Sequence, residues 1–207
     1  MDNVNIDGIK DINVVRDLFS SVNGLGEDNC ILVVLNRDYV SASIDPSSTL
    51  ETNATITGAK VGGVAGGLVG GAIAGSMNSA ISEAVNEFYS KLTDKQRILF
   101  SRNVYCGYLV NITDKGLGVI PLRNSGQLIP KIKDFITDID NYVFIGNDEI
   151  ARISIEKLPL HFSTKKLAIY FKNLGNVSTP WTLPTKNKLV TYQQENCNKL
   201  ASRLPQQ

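Results

Sequence analysis

A chain of 207 residues with 43% hydrophobic content suits one domain or two small ones and can bury a real core, which excludes a disordered chain. Its 21 Lys and Arg against 20 Asp and Glu give a formal charge of +1, so a strongly basic nucleic-acid-binding face is not expected. Three widely spaced cysteines, Cys30, Cys106 and Cys197, form neither a CxxC motif nor an even disulfide set, and they read as reduced thiols in a cytoplasm-facing protein.

The N-terminal stretch "MDNVNIDGIKD" has no basic region and no apolar run, so no secretory signal is expected. In "INVVRDLFSSV", Val14, Val15, Leu18, Phe19 and Val22 recur at helical spacing. "NGLGED" breaks that pattern. "CILVVLN" (Cys30–Asn36) and "DYVSASI" (Asp38–Ile44) read as two strands joined tightly at Asn36–Arg37–Asp38, and "DPSSTLETNAT" as a polar linker.

The glycine-rich segment "GAKVGGVAGGLVGGAIAGSM" (Gly58–Met77) follows. Gly62, Gly66 and Gly70 recur every four residues, as do Gly63, Gly67, Gly71 and Gly75. On a helix these rows lie side by side, with Gly58 in the same packing face and Val64, Leu68, Val69 and Ile73 on the aliphatic face. Glycine costs a helix roughly 1 kcal/mol relative to alanine, so eight glycines cost about 8 kcal/mol, and such a helix should not persist alone in water. A bilayer, which demands internal hydrogen bonding, or a closely packed apolar partner can offset that cost. The pattern resembles the glycine-zipper segments of membrane-associated bacterial proteins. A P-loop is not expected, because Lys60 precedes the glycines and no GxxxxGK[ST] occurs.

From Val61 to Ser82 no residue is charged, which is long enough to span, though glycine contributes little transfer energy. If the early strands pair with the later sheet, both ends of the insertion lie on one side of any membrane and a single span is impossible. "NSAISEAVNEFYSKL" continues as an amphipathic helix with Ile81, Val85, Phe88 and Leu92 on one face, and "TDKQ" reads as its end.

The second half reads as strands. "VYCGYLVNI" (Val104–Ile112) and "LGVIPL" (Leu117–Leu122) flank the turn "TDKG", and "QLIPKIKDFITDID" reads as a loop with a short helix. "YVFIG", "EIARISIEKL" and "KKLAIYF" are strands, "KNLGN" is a turn, and "VSTPWTLP" is an edge-like strand containing proline. A closing helix carries Leu189, Tyr192, Cys197, Leu200 and Leu204 as one apolar stripe, with Pro205 as its stop. The expected class is therefore α+β: an antiparallel bent sheet or small barrel capped by a C-terminal helix. Its parts are 1–57 (helix and two strands), 58–92 (glycine zipper plus amphipathic helix) and 96–205 (strand-rich domain).

The second half also resembles the bacterial pleckstrin-homology-like and GRAM-like domains, through "YLVNITDKGLGVIPL" and "NDEIARISIEKLPLHFSTKKLAIYFKNLG". Thr113, Asp114, Lys115, Gly116, Leu117, Glu149, Ile150, Ile153, Lys166, Ala168, Tyr170 and Gly175 occupy that family's pattern. The resemblance implies a binding or membrane-proximal scaffold without catalysis. Beyond Lys115 and Arg123 no basic cluster stands at the first hairpin, so headgroup binding is not carried over.

No catalytic, metal or cofactor constellation emerges. His161 is the sole histidine, and Asp138/Asp140 and Asp148/Glu149 read as caps or solvated turns. Trp181 reads as packing in preference to an interfacial anchor. Lys131/Lys133, Lys165/Lys166 and Lys186/Lys188 read as solvated surface. The expected function is a non-enzymatic scaffold or binding protein using the zipper for bilayer or self-association. The alternatives are a binding module with the glycine helix packed internally, and a zipper-mediated pore former.

Overall fold

The computed structural model describes residues 2–23, 29–35, 88–101, 104–124, 132–157, 164–179 and 181–203. The glycine-rich segment, the expected strand Asp38–Ile44 and His161 lie outside the described residues.

Asn5 caps the short helix α1 (Ile6–Ile9) by accepting a hydrogen bond from the Asp7 N–H. Helix α2 (Ile12–Asn23) follows where the helical spacing predicts it, and buries Val15, Leu18 and Phe19. The run "ILVV" forms β1 (Ile31–Val34), buried on both sides. Chain is described again from Phe88, and residues 88–91 are helical.

"TDKQ" ends that turn as expected and also starts a helix that the sequence reading missed, α3 (Asp94–Phe100). Thr93 and Gln96 form a reciprocal capping box, with Thr93 Oγ1 accepting from Gln96 N–H and Gln96 Oε1 accepting from Thr93 N–H. The signal was T-x-x-Q ahead of the apolar run Ile98, Leu99 and Phe100.

Strands β2 (Gly107–Ile112) and β3 (Gly116–Asn124) form the expected hairpin. Thr113 Oγ1 accepts from the N–H groups of Lys115 and Gly116 and so shapes the turn. Gly116 has φ 154, and a Cβ there would overlap the Ile145 carbonyl, so glycine is required on two grounds. "QLIPKIKDFITDID" supplies two 3₁₀ turns and a strand that was not anticipated, β4 (Phe135–Thr137). Strands β5 (Val143–Gly146), β6 (Ile150–Lys157) and β7 (Thr164–Phe171) fall where the sequence places them, and Gly175 turns the chain at φ 60. Strand β8 (Trp181–Pro184) and helix α4 (Gln193–Arg203) complete the order. Leu189, expected on the closing helix, precedes it and is 37% exposed.

The result is an α+β mix built on one open antiparallel sheet of eight strands, ordered β4-β3-β2-β1-β8-β7-β6, with β5 beside β4 on the same edge of β3. The sheet is open, so the barrel alternative does not hold. Strand β8 is not an edge strand, because it sits between β1 and β7. Its proline is tolerated because Pro184 is the last strand residue, and β8 meets β1 at Val34↔Thr182.

Alternation along β1 and β2 assigns the two faces. Ile31, Val33, Tyr108 and Val110 join Leu167, Ile169, Trp181 and Leu183 in one cluster, under α3. Leu32 and Leu109 join Ile120, Leu122 and Phe135 in the other, under α1 and α2. Cys197 and Leu200 bring α4 onto the first face.

Candidate functional site

The first place of interest is the root of the insertion. β1 lies inside the sheet, paired to β2 in full register from Ile31↔Val110 to Val34↔Gly107. Leu35, just past β1, and Phe88, where the described chain resumes, pack against the same core cluster. Residues 36–87 therefore leave and rejoin one folded unit at one core.

The rejoining side is pinned by aromatic side chains. Phe88 stacks edge-on against Phe100 at 5.4 Å, Phe100 tilts on Phe171 at 6.2 Å, and Tyr108 lies 5.0 Å from Trp181. Tyr108 Oη donates to the Ile98 and Leu99 carbonyls at 2.9 and 3.2 Å, and Trp181 Nε1 donates to the Leu99 carbonyl at 3.4 Å. At this end of α3 the Ile98 carbonyl also accepts from the Ser101 N–H at 3.2 Å, and the Leu99 carbonyl is met by the two aromatic donors. Burial, with smaller contributions from Tyr105 and Cys106, pushes the Tyr108 hydroxyl well above its ordinary value, so it stays a donor. Trp181 is fully buried, consistent with its reading as packing. At the other end of α3, Gln96 and Asn173 exchange amide hydrogen bonds at 2.8 and 3.0 Å, and Asn173 Nδ2 also donates to the Lys91 carbonyl.

The second place is a cleft of 230 Å³ between the ends of β6, β7 and β8 and one flank of α4. Ile155, Leu183 and Cys197 form its apolar part, and Lys165, Lys186, Thr185, Gln194 and Asn198 its polar part. Burial pushes the Cys197 thiol up to about 12, with the Lys165 charge pulling the other way. All three cysteines are buried and none forms a disulfide, as the sequence implies, and burial holds Cys106 at about 12 too. A thiol kept protonated this strongly is a poor nucleophile.

The third place is an ion pair. Arg123, half exposed, meets the buried carboxylate of Asp138 at 2.5 Å, and Asn141 Nδ2 donates to the same carboxylate oxygen at 2.9 Å. Tyr105 adjoins them; burial and the Asp138 charge raise its hydroxyl above the ordinary value. Asp138 thus has a structural partner where the sequence suggested a cap or solvated turn. On the outer side of β6 and β7, Arg152 stacks over Tyr170 at 4.1 Å and Tyr170 Oη donates to Glu156 at 2.9 Å. Burial works against ionisation of Glu156, yet hydrogen bonds from Tyr170 and Ser154 and the nearby Lys166 hold it below its ordinary value.

Among the described residues no group of three or more His, Cys, Asp or Glu could hold a metal ion, and no helix is long and apolar enough to cross a membrane. Gly58, Gly62, Gly63, Gly66, Gly67, Gly70, Gly71, Gly75, Val64, Leu68, Val69 and Ile73 all lie outside the described residues. Sequence reasoning missed the cleft because Lys165 and Lys186 meet only through the β7–β8 register, in which Lys165 opposes Leu183. No protein-family model, no curated protein and no solved structure matches this chain.

Proposed function

We propose that this chain is a non-enzymatic scaffold whose strand-rich domain, of the pleckstrin-homology-like kind, presents a glycine-zipper helix for docking to a bilayer or to a second copy of itself. The observation that carries the reading is the common root of the insertion, Leu35 and Phe88 against one core cluster. A segment that leaves and returns to one folded unit must come back to the side of the membrane it left. On this reading residues 58–77 lie on a leaflet, dip into it or fold back as a hairpin, and a single span is not expected. The period-four glycines support the docking half of the reading, since bare backbone faces allow helices to approach closely.

The test is flotation of the full chain with neutral phosphatidylcholine vesicles, together with its oligomeric state by light scattering, for wild type and Gly66→Leu. The expected result is vesicle capture or self-association in wild type and loss of both in a variant that keeps its folded circular-dichroism spectrum. A monomer that never floats contradicts the proposal. Global unfolding of Gly66→Leu favours the alternative, a binding module that packs the glycine helix internally.

A further inference from the structure

We propose that the cleft between β7, β8 and α4 is a binding site for a small oxyanion of the phosphate class, held by Lys165 and Lys186 with the amides of Gln194 and Asn198. The inference goes beyond the glycine-zipper reading and does not depend on it.

Charge placement is the first observation. Lys157 and Lys165 stand directly opposite each other in the β6–β7 register. Opposed residues of an antiparallel pair project from the same face, and like charges there repel. Lys186 enters the same end of the sheet from just beyond β8 and lines the cleft with Lys165. Two acids next in sequence to residues of this region are already engaged. Glu156 pairs with Lys166, the neighbour of Lys165, at 3.6 Å, and Glu195 pairs with Lys199 at 2.8 Å. Among the described residues no acidic side chain lines the cleft, and the sequence of the connection 158–163 contains none. Among the described residues no ion pair joins Lys157, Lys165 or Lys186 to a carboxylate. An anion in the cleft would offset this repulsion.

The second observation is how α4 divides its amides. Gln193 accepts from the Leu32 N–H and donates to the Leu32 carbonyl, both at 2.8 Å, and Asn196 donates to the Cys30 carbonyl at 2.7 Å. Those two are buried and committed to β1 and the residue just before it. Gln194 and Asn198, one turn apart on the opposite side, are exposed and line the cleft, with no partner among the described residues. They supply donors beside two ammonium groups.

Size is the third. A volume of 230 Å³ lies below the roughly 300–1,000 Å³ of pockets for drug-sized ligands, so the occupant is small. A phosphate-class anion can come free in solution or as the exposed headgroup of a phosphate-monoester lipid, and both present the same oxygens.

The test uses the full chain. Thermal unfolding is followed with inorganic phosphate and with chloride at matched ionic strength, for wild type, Lys165→Gln/Lys186→Gln and Asn198→Leu. Wild type is expected to gain stability with phosphate beyond chloride, as a ligand of the folded state must produce. Each lysine removed should weaken phosphate binding roughly tenfold. Asn198→Leu, which fills the cleft and keeps both lysines, should weaken it too. In chloride the double variant should unfold no earlier than wild type, because it loses only repulsion.

Phosphatidylcholine vesicles with and without phosphatidate then distinguish the source. Phosphatidate-dependent flotation that the double variant loses identifies a headgroup; a response to inorganic phosphate alone identifies a free anion; both support the site. A phosphate effect no larger than that of chloride, or one that survives in the double variant, overturns the proposal. A monomer that never floats with neutral vesicles, alongside an intact phosphate response, contradicts only the glycine-zipper reading.

Discussion

Helices α3 and α4 sit on the same face of the sheet and are fastened to it in opposite ways. For α3 the strands reach out: Tyr108 and Trp181 extend aromatic side chains to carbonyls of Ile98 and Leu99. For α4 the helix reaches in: Gln193 extends its amide to the backbone of β1 and Asn196 to that of Cys30 just before it. The first fastening buries large apolar surface and adds hydrogen bonds at its rim. The second fills a gap between β1 and β8, where a side-chain amide takes the place of a neighbouring strand. An aromatic anchor therefore secures the element beside the returning insertion, and a polar one leaves the flank of α4 that carries Gln194 and Asn198 to border a cleft.

The largest break in this comparison should come from Trp181→Ala. It empties a fully buried site and leaves the Leu99 carbonyl without its indole donor, so urea denaturation should show a loss of about 3–5 kcal/mol. Tyr108→Phe sharpens the contrast, since it keeps the ring and removes only the hydroxyl, at a cost of about 1 kcal/mol. If the two variants cost the same, hydrogen bonding rather than burial fastens α3.

Next in size is Gln193→Leu, which keeps the side-chain volume and strands the Leu32 N–H and carbonyl. A loss of about 2 kcal/mol is expected, with faster amide exchange at Leu32. Arg123→Gln should cost less, about 1 kcal/mol, because Arg123 is half exposed and Asn141 still donates to Asp138.

The smallest effect at neutral pH concerns the thiols. Cys106 and Cys197 keep their protons up to about pH 12 in the folded chain, against an ordinary value of 9.0. The folded state binds more protons between these values, so stability is full below pH 9 and declines as pH rises from there toward 12. Cys106→Ala/Cys197→Ala should flatten that alkaline decline in chemical denaturation followed against pH. An unchanged slope would show that these thiols do not govern it.

Much of this fold is legible in the sequence where signals are local. The spacing of Val15, Leu18 and Phe19 gives α2, β-branched "ILVV" gives β1, and "TDKG" gives the β2–β3 turn. What escapes is set by distant pairing. Nothing near Trp181 says that β8 will sit inside the sheet, because that depends on β1, far earlier in the chain. The strand at Phe135–Thr137 is three residues long, too short for periodicity to show, and exists by pairing with Leu122–Asn124. Lys165 and Lys186 look like ordinary surface in one dimension and become neighbours only through strand register. The glycine-rich segment shows the reverse case: its period is plain in the sequence, and its residues lie outside those described.

Hydrogen exchange across residues 58–77 of the full chain, with and without phosphatidylcholine vesicles and over a range of protein concentrations, tests the central claim most directly. The account predicts amides that become protected on contact with bilayer or with a second copy. Exchange at free-peptide rates under every condition would contradict it.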